Sequence, residues 1–479
     1  MHARFGPARG CLYRIGLLGL TAAGVAALEW IQRRMPAPVN PSHLQSLVRT
    51  AELSWLLCLP VAAALWIGWF LFAEAVRREP EAGPAPTDHG EPVRLVFRFV
   101  TRGENTDALD RSIAALLDSI AAYPRRIRRP LVQVVTDRPT GLGGGVGGVD
   151  EVVVPEDYAP PRGSRYKARA VAYLQSARPV GRADWCVYLD EESRVGRSFL
   201  AGALEFVGRA VRESARRGLA PIGQGAILYE GGHWLFRGAD GLRTADDLGR
   251  FRLQYALGVP CFGVHGSFLI VRGLDEPGLS FDVGKRGSLT EDAAWALRAW
   301  AGGRRFRWVR GHLHEQPPQS VGDFRRQRGR WISGLRRVCA DRELPLRNRA
   351  VLCAAVALWQ LSFLPLLVAV LSVVVRQGPD AWLRGPADFG LTTFVLAYAQ
   401  GAAVRVAHPF RAGDAHRSAG GRLVRPVRVA AATLLFVPFI WYVTMEALGV
   451  LRAMSPTRRF HVIAKPAPAP LRPSLGGAR

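Results

Sequence analysis

The strongest constraint on this chain is where its apolar residues lie. Five stretches, 15–31, 53–72, 352–375, 389–406 and 429–451, approach the roughly 20 residues that a bilayer core demands. They form two groups, with nothing comparable between 73 and 351. That division predicts membrane helices at both ends and a folded domain between them. The first stretch is the weakest, with Glu29 near its end and Arg4, Arg9 and Arg14 ahead of it. Those arginines also suit a signal peptide, but no clear small-residue cleavage site follows, so a span is expected. The second stretch carries Trp55, Trp66 and Trp69 and stops at Arg77-Arg78. The last three are long and rich in Leu, Val and Ala, which suits lipid better than a soluble core.

Composition narrows the partners. Lys and Arg number 64 against 39 acids, a net charge of +25. Nucleic acid and anionic membrane surfaces are the usual partners of such a balance. No nucleic-acid-binding signature accompanies the charge, which tracks arginines flanking the apolar stretches, so membrane lipids are the expected partner. A 49% hydrophobic content with 22% charged residues excludes disorder for most of the chain. The six cysteines show no Cys-x-x-Cys pair and read as reduced thiols on the cytoplasmic side. Arg411, Arg417, Arg422, Arg425 and Arg428 put the 408–428 loop on that side too. The expectation is a multi-pass cell-membrane protein with a cytoplasmic catalytic region. Three full spans after that region would place Arg452, Arg458, Arg459 and Lys465 outside. Either that tail is an exception, or one late segment is re-entrant or interfacial.

The expected organisation is two spans over 1–78, a Pro-, Glu- and Gly-rich linker at 79–92, and a soluble domain at 93–337. About three spans follow over 338–455, then a disordered tail at 456–479. Within the soluble region, strand and helix signals alternate, the signature of an α/β domain with a mainly parallel sheet. Residues 94–101, 131–136, 152–155 and 185–189 read as strands, and 107–122 and 166–177 as helices. Residues 321–337 read as an interfacial helix closing the domain.

Three local patterns carry chemistry. The strand at 185–189 runs into Asp190-Glu-Glu192, at the sheet edge where open α/β sheets bind ligands. Asp190 and Glu192 point the same way and suit one hard divalent cation, Mg²⁺ or Mn²⁺, which would neutralise a diphosphate leaving group. A solvated acidic turn is the other reading. Ser288-Leu-Thr-Glu-Asp292 has capping-box spacing between Ser288 and Glu291 ahead of a helix. Glu291 and Asp292 there complement the helix dipole, which also keeps a general base ionised. Gln327, Arg330 and Trp331 share one helix face. They suit a phosphate and a stacked ring, or simply a basic helix at the membrane surface. The Gly-rich run 141–148 lacks a P-loop's Gly-Lys-Ser/Thr and reads as a flexible loop. His312 and His314 read as a strand edge, and Asp246-Asp247 as a helix cap.

The three patterns in this order resemble the membrane-spanning, inverting family 2 glycosyltransferases. That family combines Asp-x-Asp, Thr-Glu-Asp and Gln-x-x-Arg-Trp. Here Thr290-Glu-Asp292 and Gln327-Arg-Gly-Arg330-Trp331 match in full, while Glu192 replaces the second Asp. Within the family, Val100-Thr-Arg-Gly103, Val135-Thr-Asp137, Lys167-Ala-Arg-Ala170, Arg243-Thr-Ala-Asp-Asp247 and Phe262-Gly-Val-His-Gly-Ser267 resemble the egghead-type β-1,4-mannosyltransferases. The resemblance implies a GT-A-type, Rossmann-like α/β domain beside transmembrane helices. It implies Asp292 as catalytic base and Asp190 and Glu192 as metal ligands. Asp137, Lys167, Asp190, Gln327, Arg330 and Trp331 would face the donor. His265, Gly266, Ser267, Glu291 and Trp331 would face the acceptor. The reaction implied transfers a sugar, mannose from GDP-mannose first, to a lipid-linked or other glycan acceptor. Two rivals are a processive polysaccharide synthase, which usually adds spans and a gating segment not seen here, and a non-enzymatic membrane scaffold.

Overall fold

In 95–101, Leu95, Phe97 and Phe99 point to one side and Val96 and Val100 to the other, because successive strand residues alternate faces. A strand apolar on both faces needs cover on both. A computed structural model describes residues 6–34, 43–72, 92–123, 125–142, 148–374, 380–410 and Glu446, and it supplies that cover. The strands are β1 (Leu95–Thr101), β2 (Leu131–Thr136), β3 (Val149–Val153), β4 (Trp185–Asp190), β5 (Arg194–Val195), β6 (Ile222–Tyr229), β7 (Leu269–Arg272) and β8 (Phe306–Glu315). They form one sheet in the order β3-β2-β1-β4-β7-β6-β8-β5. One core packs Leu95, Phe97 and Phe99 on helices Thr106–Ala121 and Arg197–Arg217. The opposite core packs Val96 and Val100 on helices Tyr166–Ala177 and Glu291–Ala301.

The sheet is mixed. β3, β2, β1 and β4 run parallel, as do β6 and β8, but β7 lies antiparallel between β4 and β6, and β5 is antiparallel to β8. The third strand starts three residues ahead of the expected 152–155, because Val149 already pairs with Val132. Its polar residues hide the strand pattern, and each has a local partner: Asp150 accepts from Gln133 and Arg178, and Glu151 from Thr140. Arg98 is fully buried within β1, bonded to Gln133, Tyr188, Glu276 and the Arg178 carbonyl.

Two helices, Gly10–Arg33 and Ser46–Leu71, are long and apolar enough to cross a membrane. Leu12, Ile15, Leu20 and Trp30 of the first are exposed. The second is seated on the α/β domain by glycine contacts: a Cβ on Gly68 would lie 2.2 Å from the Gly249 carbonyl oxygen. Beside it, Trp69 Nε1 donates to the Ala245 carbonyl at 2.9 Å. The third apolar stretch is not one helix but Leu346–Leu361 and Phe363–Val374, parted at Ser362. Pro365 lacks the N–H that a continuous helix would use, and its ring crowds the Leu361 carbonyl. The fourth stretch lies inside helix Ala381–Ala407. The fifth stretch except Glu446, the 411–428 arginines, the linker 79–91 and the 456–479 tail lie outside the described residues, as do 143–147 of the Gly-rich run. All six cysteines are free thiols.

Candidate active site

The parallel strands β1, β2 and β4 end side by side, and their carboxyl ends place Thr101, Asp137 and Asp190 on one rim. At the end of β4 the chain turns sharply, with the Ser193 N–H donating to the Asp190 carbonyl at 3.0 Å. Within this turn the three acids divide. Glu191 is buried, accepting from Thr101 Oγ1 at 2.5 Å and from Asn105 Nδ2. Burial, then the charge of Glu192, push Glu191 up to about 7. All three acids line a cavity of about 650 Å³, Asp190 and Glu192 without that Thr101–Asn105 clamp. Lys167, in the first turn of helix Tyr166–Ala177, donates to Asp190 Oδ1 and, at 2.8 Å, to the Gly266 carbonyl. Asp137 pairs with Arg169 at 3.2 Å and faces Arg102 at 3.7 Å.

Glu291 and Asp292 open helix Glu291–Ala301 on the opposite wall. The expected capping box is not formed. Thr290 is the N-cap, without a side-chain bond, and Ser288 instead donates to the Gly284 carbonyl. Ser288 is the C-cap of the short helix Gly284–Gly287, two residues ahead of the N-cap Thr290 and so too far back to cap the next helix. Asp292 Oδ1 accepts from the Ala293 N–H at 2.8 Å. Burial raises Asp292 above the ordinary carboxylate value, opposed by that N–H and by Lys167, His265 and Arg330. Burial and the charge of Asp292 lift Glu291 to about 7. Gly266 fits between these groups because it has no side chain. A Cβ there would lie 3.1 Å from Lys167 Nζ and 3.4 Å from Asp292 Oδ2 and Glu291 Oε1.

Gln327, Arg330 and Trp331 project from helix Val321–Cys339 into the same cavity. The guanidiniums of Arg243 and Arg328 lie over the Trp331 ring, 4.6 and 4.4 Å from its centroid. Arg328 is itself buried, held by Asp240 at 2.5 Å and by Glu446 at 2.7 Å. Thus Asp137, Lys167, Asp190, Glu192, His265, Gly266, Ser267, Glu291, Asp292, Gln327, Arg330 and Trp331 all line one cavity.

Several lining residues were not anticipated. Glu315, at the end of β8, accepts from Ser267 and, at 3.1 Å, from Ser193, tying the 265–267 segment to the acidic turn. Burial and then the charges of Asp190 and Glu192 lift it to about 7. Arg243 and Glu446 reach the cavity as well, Glu446 from inside the fifth apolar stretch. Asp246-Asp247 does lie at helix caps, Asp247 as C-cap of helix Trp234–Asp246 and Asp246 as N-cap of the turn Asp247–Phe251. Asp246 makes no capping side-chain bond and accepts from Arg250 instead, while Asp247 turns inward to His265. His312 does not sit at an open edge, since β8 lies between β6 and β5, and the His312 ring lies tilted against His408 with centroids 4.7 Å apart.

The donor set at Asp190 and Glu192 fits a divalent cation. Two oxygen ligands on one side of a turn, open to a cavity, suit Mg²⁺ or Mn²⁺ completed by phosphate and water. Among the described residues no cluster of three or more acidic, His or Cys side chains is set to enclose a metal by protein alone. At its other end the cavity becomes apolar, walled by Trp55, Leu57 and Val61 from helix Ser46–Leu71, Val356 and Trp359 from Leu346–Leu361, and Phe394 from Ala381–Ala407.

Known proteins are similar to this chain. The chain is 31% identical over 271 residues to β-1,4-mannosyltransferase egh of Drosophila melanogaster, covering 55% of this chain and 57% of that protein. It is 29% identical over 338 residues to β-1,4-mannosyltransferase bre-3 of Caenorhabditis elegans, covering 67% of this chain and 71% of that protein. The chain therefore spans little more than half the length of the fly relative. Among solved structures, mannosyltransferase PcManGT from Pyrobaculum calidifontis in complex with GDP-Man and Mn²⁺ aligns at 16% identity with a TM-score of 0.43, over 84% of this chain and 98% of that one. Residues 185–457, more than half of the chain, match the glycosyl transferase family group 2, and the protein belongs to that family.

Proposed function

We propose that the protein transfers a hexose, mannose from GDP-mannose first, onto a hydroxyl of a membrane-lipid-borne acceptor, with inversion at the anomeric carbon. The observation that carries this reading is the continuity of the cavity. It runs from carboxylates and cations suited to a nucleotide-sugar into an apolar end walled by Ser46–Leu71, a helix long and apolar enough to cross a membrane, and by two further helices. Relatives named β-1,4-mannosyltransferases support the choice of sugar.

In this reading Asp292 takes the proton of the acceptor hydroxyl. The freed oxygen attacks the anomeric carbon as the bond to the diphosphate oxygen breaks, and the electron pair leaves with the nucleoside diphosphate. Arg330 and Lys167 supply positive charge on that side of the cavity, where preorganised cations stabilise the departing charge. A divalent cation held by Asp190 and Glu192 would neutralise the diphosphate further. Asp137 and Gln327 face the donor, and His265, Gly266, Ser267 and Glu291 the acceptor. The apolar helices seat the site in the cell membrane, and the catalytic face is assigned to the cytoplasm, where nucleotide-sugars are made.

The test is a donor screen with the purified protein in lipid, reading released GDP or UDP. Each donor is run with a lipid-borne acceptor and with the same sugar head group in soluble form. The reading expects GDP release with GDP-mannose, preference for the lipid form, and one sugar per acceptor. A polymeric product would favour a processive synthase, and no transfer from any nucleotide-sugar would refute the assignment.

A further inference from the structure

Asp247 and His265 are joined by geometry that the reaction above does not use. Asp247 opens a π-helical turn, Asp247–Phe251, between helices Trp234–Asp246 and Arg252–Leu257. Such turns recur at functional sites because the wider turn re-aims side chains. Here adjacent acids part. Asp246 binds Arg250 at 2.8 Å, while buried Asp247 places Oδ1 2.5 Å from His265 Nε2 and accepts the Ile227 N–H on Oδ2 at 3.0 Å. The segment bearing His265 is fixed as well. Gln224 accepts the His265 N–H at 3.0 Å and donates to the His265 and Ser267 carbonyls at 2.9 and 3.1 Å. Phe251 stacks on the imidazole, with centroids 4.8 Å apart. The ring is therefore held in one place, lining the cavity beside the wall that carries Asp292.

Charge explains why such a holder is useful. The buried cavity gathers Asp190, Glu192, Glu291, Asp292 and Glu315, and like charges in a buried site disfavour ionisation. The charged groups facing His265 are Asp247 from the π-turn, Arg243 from the helix before it, Glu315 from β8 and Asp292 from helix Glu291–Ala301. Burial disfavours a charged ring, but Asp247, by charge and hydrogen bond, outweighs it and raises His265 above its ordinary value. Those facing Asp292 are Glu291, Lys167 from helix Tyr166–Ala177, Arg330 from helix Val321–Cys339, and His265.

We propose that Asp247 is a positioning residue holding His265 as an imidazolium on the cavity wall, and that this cation keeps Asp292 ionised to accept the acceptor proton. His265 keeps its own proton throughout; the proton that moves goes from the acceptor hydroxyl to Asp292. The proposal rests on the reading of Asp292 as base.

The test is the pH dependence of kcat for the full chain in lipid at saturating donor and acceptor, for Asp247→Asn, His265→Gln and His265→Lys. Removing a cation from beside a carboxylate raises that carboxylate's pKa. The acidic limb of Asp247→Asn and of His265→Gln is therefore expected to move up by about 1 pH unit, with nucleotide affinity retained. His265→Lys, which restores a cation, returns the limb toward the wild-type position. A wild-type limb in folded, nucleotide-binding Asp247→Asn and His265→Gln overturns the proposal. If Asp292→Asn is inactive in that case, the base reading stands without the pair. Near-normal turnover in Asp292→Asn overturns the base reading and the pair together.

Discussion

Replacing Asp292 by Asn separates two roles of one side chain. Its Oδ1 accepts the Ala293 N–H at 2.8 Å in the first turn of helix Glu291–Ala301, and its charge faces Lys167, His265 and Arg330. The amide oxygen of Asn preserves the first role and loses the second. The structural loss is the carboxylate's interaction with the helix dipole, about 0.3–1 kcal/mol. Losing general-base help costs about 10²–10⁴ in rate, or about 3–5 kcal/mol of barrier at roughly 1.4 kcal/mol per tenfold. The kinetic term exceeds the structural one, so the expected variant is folded, binds nucleotide and barely turns over. Release of nucleoside diphosphate at saturating substrates gives the rate, calorimetry the nucleotide affinity, and thermal unfolding the fold. The pH profile adds a sign. A base works deprotonated and burial raises Asp292, so wild-type activity falls as pH drops through a value above the ordinary carboxylate range. Near-normal turnover in Asp292→Asn, or lost nucleotide binding with unfolding unchanged, would refute the reasoning.

Asp190→Ala is expected to abolish transfer and cation-dependent donor binding, with Glu192→Asp retaining more activity than Glu192→Ala; wild-type activity unaffected by EDTA would contradict this. Gly68→Val places a Cβ 2.2 Å from the Gly249 carbonyl oxygen and forces the apolar helix off the π-turn. The expected loss is about 1–3 kcal/mol, read as a lower Tm in nanodiscs, and an unchanged Tm would count against that packing. Glu276→Gln removes the carboxylate partner of fully buried Arg98 and is expected to cost about 3–5 kcal/mol in denaturant unfolding, part of which the double variant with Arg98→Met recovers. A Ser418→Cys variant is expected to resist an impermeant thiol reagent applied to intact cells, and labelling from outside would reverse the assigned topology.

Features of short range were legible in the sequence. The apolar, β-favouring run in 95–101, the apolar length of 15–31 and 53–72, and the acids following 185–189 each express local geometry. The motif resemblance added the order of Asp190, Asp292 and Arg330 along the chain, and all three line the one cavity. What the sequence left open depends on contacts between distant segments. His265 meets Asp247 across 18 residues, Ser267 meets Glu315 across 48, and Arg328 meets Glu446 across 118. Asp150 and Glu151 hid a strand whose polar residues find partners in Gln133, Arg178 and Thr140. Arg98 contradicts every local preference for a central strand until Glu276, 178 residues away, supplies its counter-charge. Local periodicity reports which face a residue presents. Only the folded chain decides what lies against that face, because the charge and burial of each site group depend on neighbours that the backbone brings together from far apart.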